Sequence, residues 1–301
     1  MNEEQKIGVL LVNLGTPDSP TRGAVYRYLK QFLLDRRVID YSWLARNMLV
    51  RGIIAPFRSG SSAKLYQQLW TDKGSPIKFY GEELADKVRG SLPSNYQVEL
   101  AMRYQNPSME SALQKLLKAN VDKIVVFPLF PQYASATTGS IHDEIMRLLR
   151  KEDHIPEISL INSYPEMPEM IEVIAENASS HNIKDYDHVL FSYHGLPQRQ
   201  LKKADRSGEH CLTKEGCCNA ICPSNKYCYS AQCHQTSRAI AHKLGLDDYT
   251  VCFQSRLGPE AWAQPYTSEV IKQNLEKGNK KLLVFSSRNS LGITASVNPS
   301  L

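Results

Sequence analysis

Short apolar runs alternate with longer amphipathic stretches along the whole chain. The runs Ile7–Leu14, Val98–Met102, Ile124–Pro128, Ile158–Ile161, His188–Ser192, Thr250–Gln254 and Lys281–Phe285 read as strands. Several are apolar throughout rather than alternating, which is the pattern of parallel strands covered on both faces. Helical stretches separate them. In Ser75–Pro76 and Asn106–Pro107 the polar residue is expected to cap a helix, and the proline to take its first position, where no amide donor is needed. Thr138 or Ser140 is expected to cap a helix beginning near Ile141. Repeated strand–helix alternation predicts an α/β fold with right-handed crossovers and parallel strands. The pattern suits two similar lobes as well as one sheet. Two prolines at Tyr164–Pro168 mark the junction, giving lobes over 1–164 and 165–301. In such folds the chemistry gathers at the carboxyl ends of the strands.

Composition narrows the class. At 42% hydrophobic and 22% charged residues the chain is of ordinary globular make-up, not disordered. Its N-terminus, MNEEQK, has neither a basic region nor an apolar stretch of the signal-peptide kind, so a cytoplasmic location is expected. No apolar run approaches the roughly 18 residues of a membrane span. A net charge of +5 without a long basic block argues against nucleic acid and modestly favours an anionic membrane surface. Six of the seven cysteines lie between Cys211 and Cys233. In a reducing compartment such clustering points to metal rather than disulfides.

The strand ends hold the candidate chemistry. After the first strand, LLVNLGTPDSP leaves Asn13, Leu14 and Thr16 at a turn that lacks the glycine spacing and lysine of a phosphate loop. Arg103 and Tyr104 end the second strand. The third runs into PLFPQYASATTGS, where Gln132, Tyr133, Ser135, Thr137 and Thr138 form a polar and aromatic strip suited to a large planar ligand with polar edges. The fifth gives VLFSYHGLP, so that His194 leaves an apolar strand just before Gly195 and Pro197. An imidazole there can be a general base, a metal ligand or a structural group. Trp262 lies in a loop with two prolines after the sixth strand.

Seven segments in order, LLVNLGTPDSP, DKGSPI, MRYQNPSMESAL, FPLFPQYASATTGS, FSYHGLP, YSAQCHQT and QSRLGPEAWAQP, resemble the ferrochelatases. The resemblance spans about Ile7 to Phe285. It implies two Rossmann-like lobes with parallel sheets flanked by helices, a chelatase-like fold with a porphyrin cleft between them. The implied reaction is insertion of Fe²⁺ into protoporphyrin IX, ending haem synthesis, by a lyase. Coproporphyrin III is the alternative substrate, and a porphyrin-binding homologue of impaired activity the alternative function. His194 matches the family's essential histidine, assigned to pyrrole-proton abstraction, to Fe²⁺ binding, or to both. Leu14, Arg103, Tyr104, Tyr133, Ser135, Thr137 and Trp262 match positions that line the cleft. The segment 43–57, WLARNMLVRGIIAPF, is either a buried core helix or, as in the family, an apolar lip making peripheral contact with the inner face of a membrane. A monomer or homodimer fits equally.

Two segments stand outside the common pattern. The insert over 208–230 carries Cys211, Cys217, Cys218, Cys222 and Cys228. Some ferrochelatases bind a [2Fe–2S] cluster, which takes four thiolates. Cys211, Cys218, Cys222 and Cys228 are the favoured set, with Cys217 interchangeable with Cys218. Zinc is the rival, although the paired C-x₂-C knuckles of zinc ribbons are missing. The second departure is 286–301, where the family places a helix whose glutamate faces the histidine. Here the tail has no Asp, Glu or His and does not read as a helix.

Overall fold

A computed structural model describes residues 4–256 and 258–286, and the backbone of 293–297. The chain divides into two compact units. One runs to Phe130 and resumes over Ser135–Asn162; the other takes Pro131–Ala134 and the chain from Ser163 onward.

The first unit is built on β1 (Ile7–Gly15), β2 (Tyr96–Tyr104), β3 (Lys123–Pro128) and β4 (Glu157–Leu160), in the order β2-β1-β3-β4. All are parallel, with Leu11 opposite both Leu100 and Phe127. Successive residues of β1 are buried because both faces are covered. Leu10, Val12, Ile124 and Val126 pack on one side with α5 (Met109–Lys118) and α6 (Ser140–Leu149). Leu11, Val98 and Leu100 pack on the other, with Ala85 of α4 (Pro76–Ser91).

The segment 43–57 is not a buried core helix. It follows α1 (Arg22–Leu33) and comprises α2 (Trp43–Asn47), a widened π-helical stretch over Met48–Ile54 and the start of α3 (Ala55–Leu69). Trp43 is 71% exposed, Met48 67% and Phe57 78%, while Val50 alone of the long side chains is fully buried. No helix among the described residues is long and apolar enough to cross a membrane.

Helix starts differ from the sequence expectation in an instructive way. Ser75 does precede Pro76 of α4, yet its hydroxyl makes no cap bond and instead meets Thr16 Oγ1 at 2.8 Å. Helix α5 begins two residues beyond Pro107, capped by Ser108, whose Oγ accepts from Ser111 N. Helix α6 has no side-chain cap, because Ser140 turns toward other partners and Thr138 Oγ1 is buried without one.

The second unit has β5 (His188–His194) at its centre, β6 (Thr250–Gln254) and β7 (Leu282–Ser286) parallel on either side, and β8 (Ile293–Val297) beyond β7. Strand β8 is antiparallel, so this sheet is mixed rather than wholly parallel as expected. A single strand reached directly from β7 cannot make a crossover and must run back. Helix α9 (Tyr229–Leu244) packs on this sheet through Ala231, Cys233, Ile240 and Ala241. Also in this unit are α7 (Pro168–Ser179), α8 (Gln198–Ala204) and α10 (Thr267–Glu276).

Candidate functional site

In the first unit the carboxyl ends of β1 and β2 lie side by side. Gly15 is required there: its φ is +111°, and a Cβ would stand 2.0 Å from Tyr104 O. Asn13 is buried and Leu14 half-buried, with Leu14 N donating to Asn13 Oδ1. Asp35 gathers the ends of three segments. Its Oδ2 accepts from Arg103 Nη2 at 2.8 Å, Tyr104 Oη at 2.9 Å and Ser140 Oγ at 2.5 Å, and its Oδ1 accepts from Arg37 N at 2.7 Å. Arg103 Nε also donates to Ser140 Oγ and O. Tyr104 is fully buried with its hydroxyl inside this cluster, which makes it a support of the site rather than a surface that a ligand touches. Burial, reinforced by the Asp35 charge, pushes its hydroxyl well above the usual tyrosine range. Ser135 and Thr137 stand on the π-helical turn Ser135–Gly139 that leads into α6. Arg37 Nη1 donates to Ser135 Oγ at 3.3 Å.

In the second unit every residue from Val189 to Tyr193 is buried and His194 is exposed. The strand is a fixed mount, and only its last side chain reaches out. Gly195 lets two loops close: its N donates to Gln254 O at 2.8 Å, and a Cβ there would come within 3.0 Å of that oxygen and 3.5 Å of Trp262 Cε3. Ala263 N donates to Leu196 O and Gln198 N to Ala261 O, so the loops bearing His194 and Trp262 are laced together. Tyr133 stands elsewhere in this unit, its N donating to Gln232 Oε1 of α9 at 2.6 Å.

The insert is organised by two residues that the sequence did not flag. Asp205 accepts from Ser207 N and Oγ, His210 N and Cys211 N, and these bonds, that from the Ser207 hydroxyl foremost, hold its carboxyl well below the usual range. Buried Asn225 donates to Cys217 O and Ala220 O and accepts from Cys222 N. The thiols stand in pairs: Cys211 and Cys228 have Sγ atoms 3.8 Å apart, Cys217 and Cys218 3.9 Å. Cys222 lies instead 3.8 Å from His210 Nε2. The bond with Cys211 pushes the Cys228 thiol up to about 11 and draws that of Cys211 down. Cys233 and Cys252 are core residues with no exposure.

These spacings match two ligands on one tetrahedral centre, since a metal–sulfur bond of ~2.3 Å gives a tetrahedral edge of ~3.8 Å. Among the described residues no three or more metal-ligating side chains gather to hold a single ion. Cys211 and Cys228 are thus a pair of the favoured set at that spacing, while Cys218 stands with Cys217 and Cys222 with His210.

Parallel strands in both units, with an exposed imidazole ending a buried strand and a charge-locked cluster at other strand ends, are the make-up of an α/β enzyme whose candidate chemistry lies at its strand termini. The ferrochelatase pattern matches residues 6–287. The ferrochelatase of Coxiella burnetii is 44% identical over 288 residues, covering 94% of this chain and 80% of that one. That of Legionella pneumophila strain Paris is 43% identical over 279 residues, covering 92% and 82%. A solved structure of SirB from Bacillus subtilis with Fe³⁺ is a more distant likeness, with TM-score 0.48 and 13% identity over 94% of this chain and 76% of that one. The chain belongs to the ferrochelatase family. It is a lyase that inserts iron into a porphyrin, the terminal step of haem biosynthesis.

Proposed function

We propose that the porphyrin is protoporphyrin IX, taken from a membrane surface through the lip 43–57, and that His194 is the catalytic residue. Exposure of His194 at the end of an otherwise buried β5 carries this reading. Metal can enter the ring only as its two inner N–H protons leave, and a neutral imidazole accepts one of them. The same ring can meet Fe²⁺ as it arrives. A site that favours a bent macrocycle exposes the nitrogen lone pairs and so binds the transition state better than the flat substrate. Leu14, Arg103, Ser135 and Thr137 in the first unit and Tyr133 and Trp262 in the second are the porphyrin contacts, and Tyr104 backs Arg103. The exposed apolar lip supports the more hydrophobic substrate and peripheral membrane contact in the cytoplasm.

The insert carries a [2Fe–2S] group on Cys211, Cys218, Cys222 and Cys228, with Cys217 able to replace one of them. The Cys211–Cys228 pair supports this reading. Its role is structural or regulatory, since metal insertion transfers no electrons.

Anaerobic incubation with Fe²⁺ and protoporphyrin IX tests the whole. Wild type should form haem, and His194→Ala should lose about 10²–10⁴-fold in rate while still binding porphyrin. Unchanged turnover in His194→Ala would remove the assigned base, and a higher kcat/KM for coproporphyrin III would overturn the substrate.

A further inference from the structure

Tyr133 is tied to the cysteine insert by both its backbone and its ring. Its N–H donates to Gln232 Oε1 at 2.6 Å, and the Nε2 of the same side chain donates to Lys226 O at 2.6 Å and Ser163 Oγ at 3.4 Å. The Tyr133 ring meets the Tyr227 ring edge-on, with centroids 5.7 Å apart. Lys226 and Tyr227 lie in the short turn between Cys222 and Cys228, whose start is pinned by Asn225. Gln232 is 3% exposed. A buried amide that loses an acceptor finds no water to replace it, so Gln232 follows Lys226 O when that oxygen moves.

We propose that Gln232 and Tyr227 are positioning residues that couple the cysteine insert to Tyr133, so that loading of the insert sets porphyrin affinity. This rests on the reading that Tyr133 faces the porphyrin and that the insert holds the cluster. Removing the metal frees Cys222 and Cys228 to shift, the turn between them relaxes, and Tyr133 loses both its backbone anchor and its ring neighbour. Insertion chemistry at His194, mounted on β5, is left unchanged. The effect therefore falls on Kd and KM, not on kcat. A Gln232 that served only as packing would lower stability without distinguishing loaded from stripped protein.

The test uses the full chain isolated anaerobically, its metal content measured by elemental analysis and protoporphyrin IX binding followed by fluorescence quenching. Stripping wild type with a chelator should weaken binding about five-fold or more, the effect of one buried hydrogen bond. Gln232→Met should bind protoporphyrin IX weakly and equally whether loaded or stripped. Tyr227→Leu, a milder change at a half-buried site, should shrink the difference and guards against a Gln232 variant that fails to fold. Metal present in wild type with a Kd indifferent to its removal overturns the coupling alone, as does a full loaded-to-stripped difference in both variants. Protein that holds no metal and takes up none overturns the cluster reading and the coupling with it. An unchanged Kd in Tyr133→Ala removes Tyr133 from the porphyrin surface and the coupling with it.

Discussion

Replacing Asp35 with alanine should be among the most damaging single changes in the first unit. The Asp35 and Arg103 side chains are only 6% and 13% exposed, and their charged atoms are 2.8 Å apart. Taking away the carboxylate leaves a guanidinium nearly out of water, with Glu144 at 3.9 Å as its remaining carboxylate partner among the described residues. It also strips an acceptor from Tyr104 Oη, Ser140 Oγ and Arg37 N. Breaking one side of a buried pair costs about 3–5 kcal/mol, mainly through the charge left behind. In a chain of this size that lowers Tm by roughly 6–20 °C. Replacing both partners by apolar groups, as in Asp35→Leu with Arg103→Met, should cost far less than the sum of the two single changes. Tyr104 Oη and Ser140 Oγ, 3.2 Å apart, can then satisfy each other. Denaturant unfolding followed by circular dichroism measures both. The reasoning fails if Asp35→Ala loses less than ~1 kcal/mol, or if the double variant is as unstable as additivity predicts.

Burial, helped by the nearby Arg238 charge, lowers the pKa of His234 to about 4. The unfolded chain then binds a proton that the folded chain refuses between pH ~6.5 and ~4, so stability is lost as pH falls through that window, by up to about 3 kcal/mol. His234→Gln should flatten this part of the stability–pH curve in urea titrations, and an unchanged slope would reject the assignment. Trp43→Ser with Phe57→Ser should leave the melting temperature unchanged, since both side chains are exposed, yet release the protein from anionic vesicles by ten-fold or more, given about 1.5–3 kcal/mol per large apolar side chain buried. Equal co-sedimentation of variant and wild type would show that the lip does not enter the membrane.

Seven strands were legible as short apolar runs, and β1 and β5, buried over successive residues on both faces, most plainly so. The eighth was not: ITASV is short and followed by Asn and Pro, and only its pairing with β7 makes it a strand. Caps misled for a similar reason. A serine before a proline looks like a cap, but the hydroxyl of Ser75 has a better partner in Thr16, 59 residues away in sequence. Of the expected site residues, the place of His194 at the end of β5 was legible, as was that of Trp262 in the loop after β6. Asp35 was not, since an acid within LLDRR looks like a surface charge until β2 and α6 bring Arg103, Tyr104 and Ser140 to it. Burial of Tyr104 was equally hidden, and so was the pairing of thiols, which depends on how Asp205 and Asn225 fold the insert.

The C-terminal segment joins these threads. The family resemblance implies a helix after β7 with a carboxylate facing the histidine, and loss of that helix would be expected to uncover apolar surface. Residues 287–292 and 298–301 lie outside the described residues, but 293–297 form a strand rather than a helix. It pairs along β7 from Leu282 opposite Val297 to Ser286 opposite Ile293. Strand β7, with Leu282, Leu283, Val284 and Phe285 all buried, therefore has a partner along its outer edge. The open edge of the sheet passes from β7 to β8, which is now its outermost strand. The departure from the family pattern falls on the edge of the sheet rather than on its centre. It spares the mount of His194, because β5 is paired to β6 and β7 whatever follows. Within 286–301 there is no acid or imidazole. On the reading proposed above, His194 is the group of the second unit that accepts a pyrrole proton.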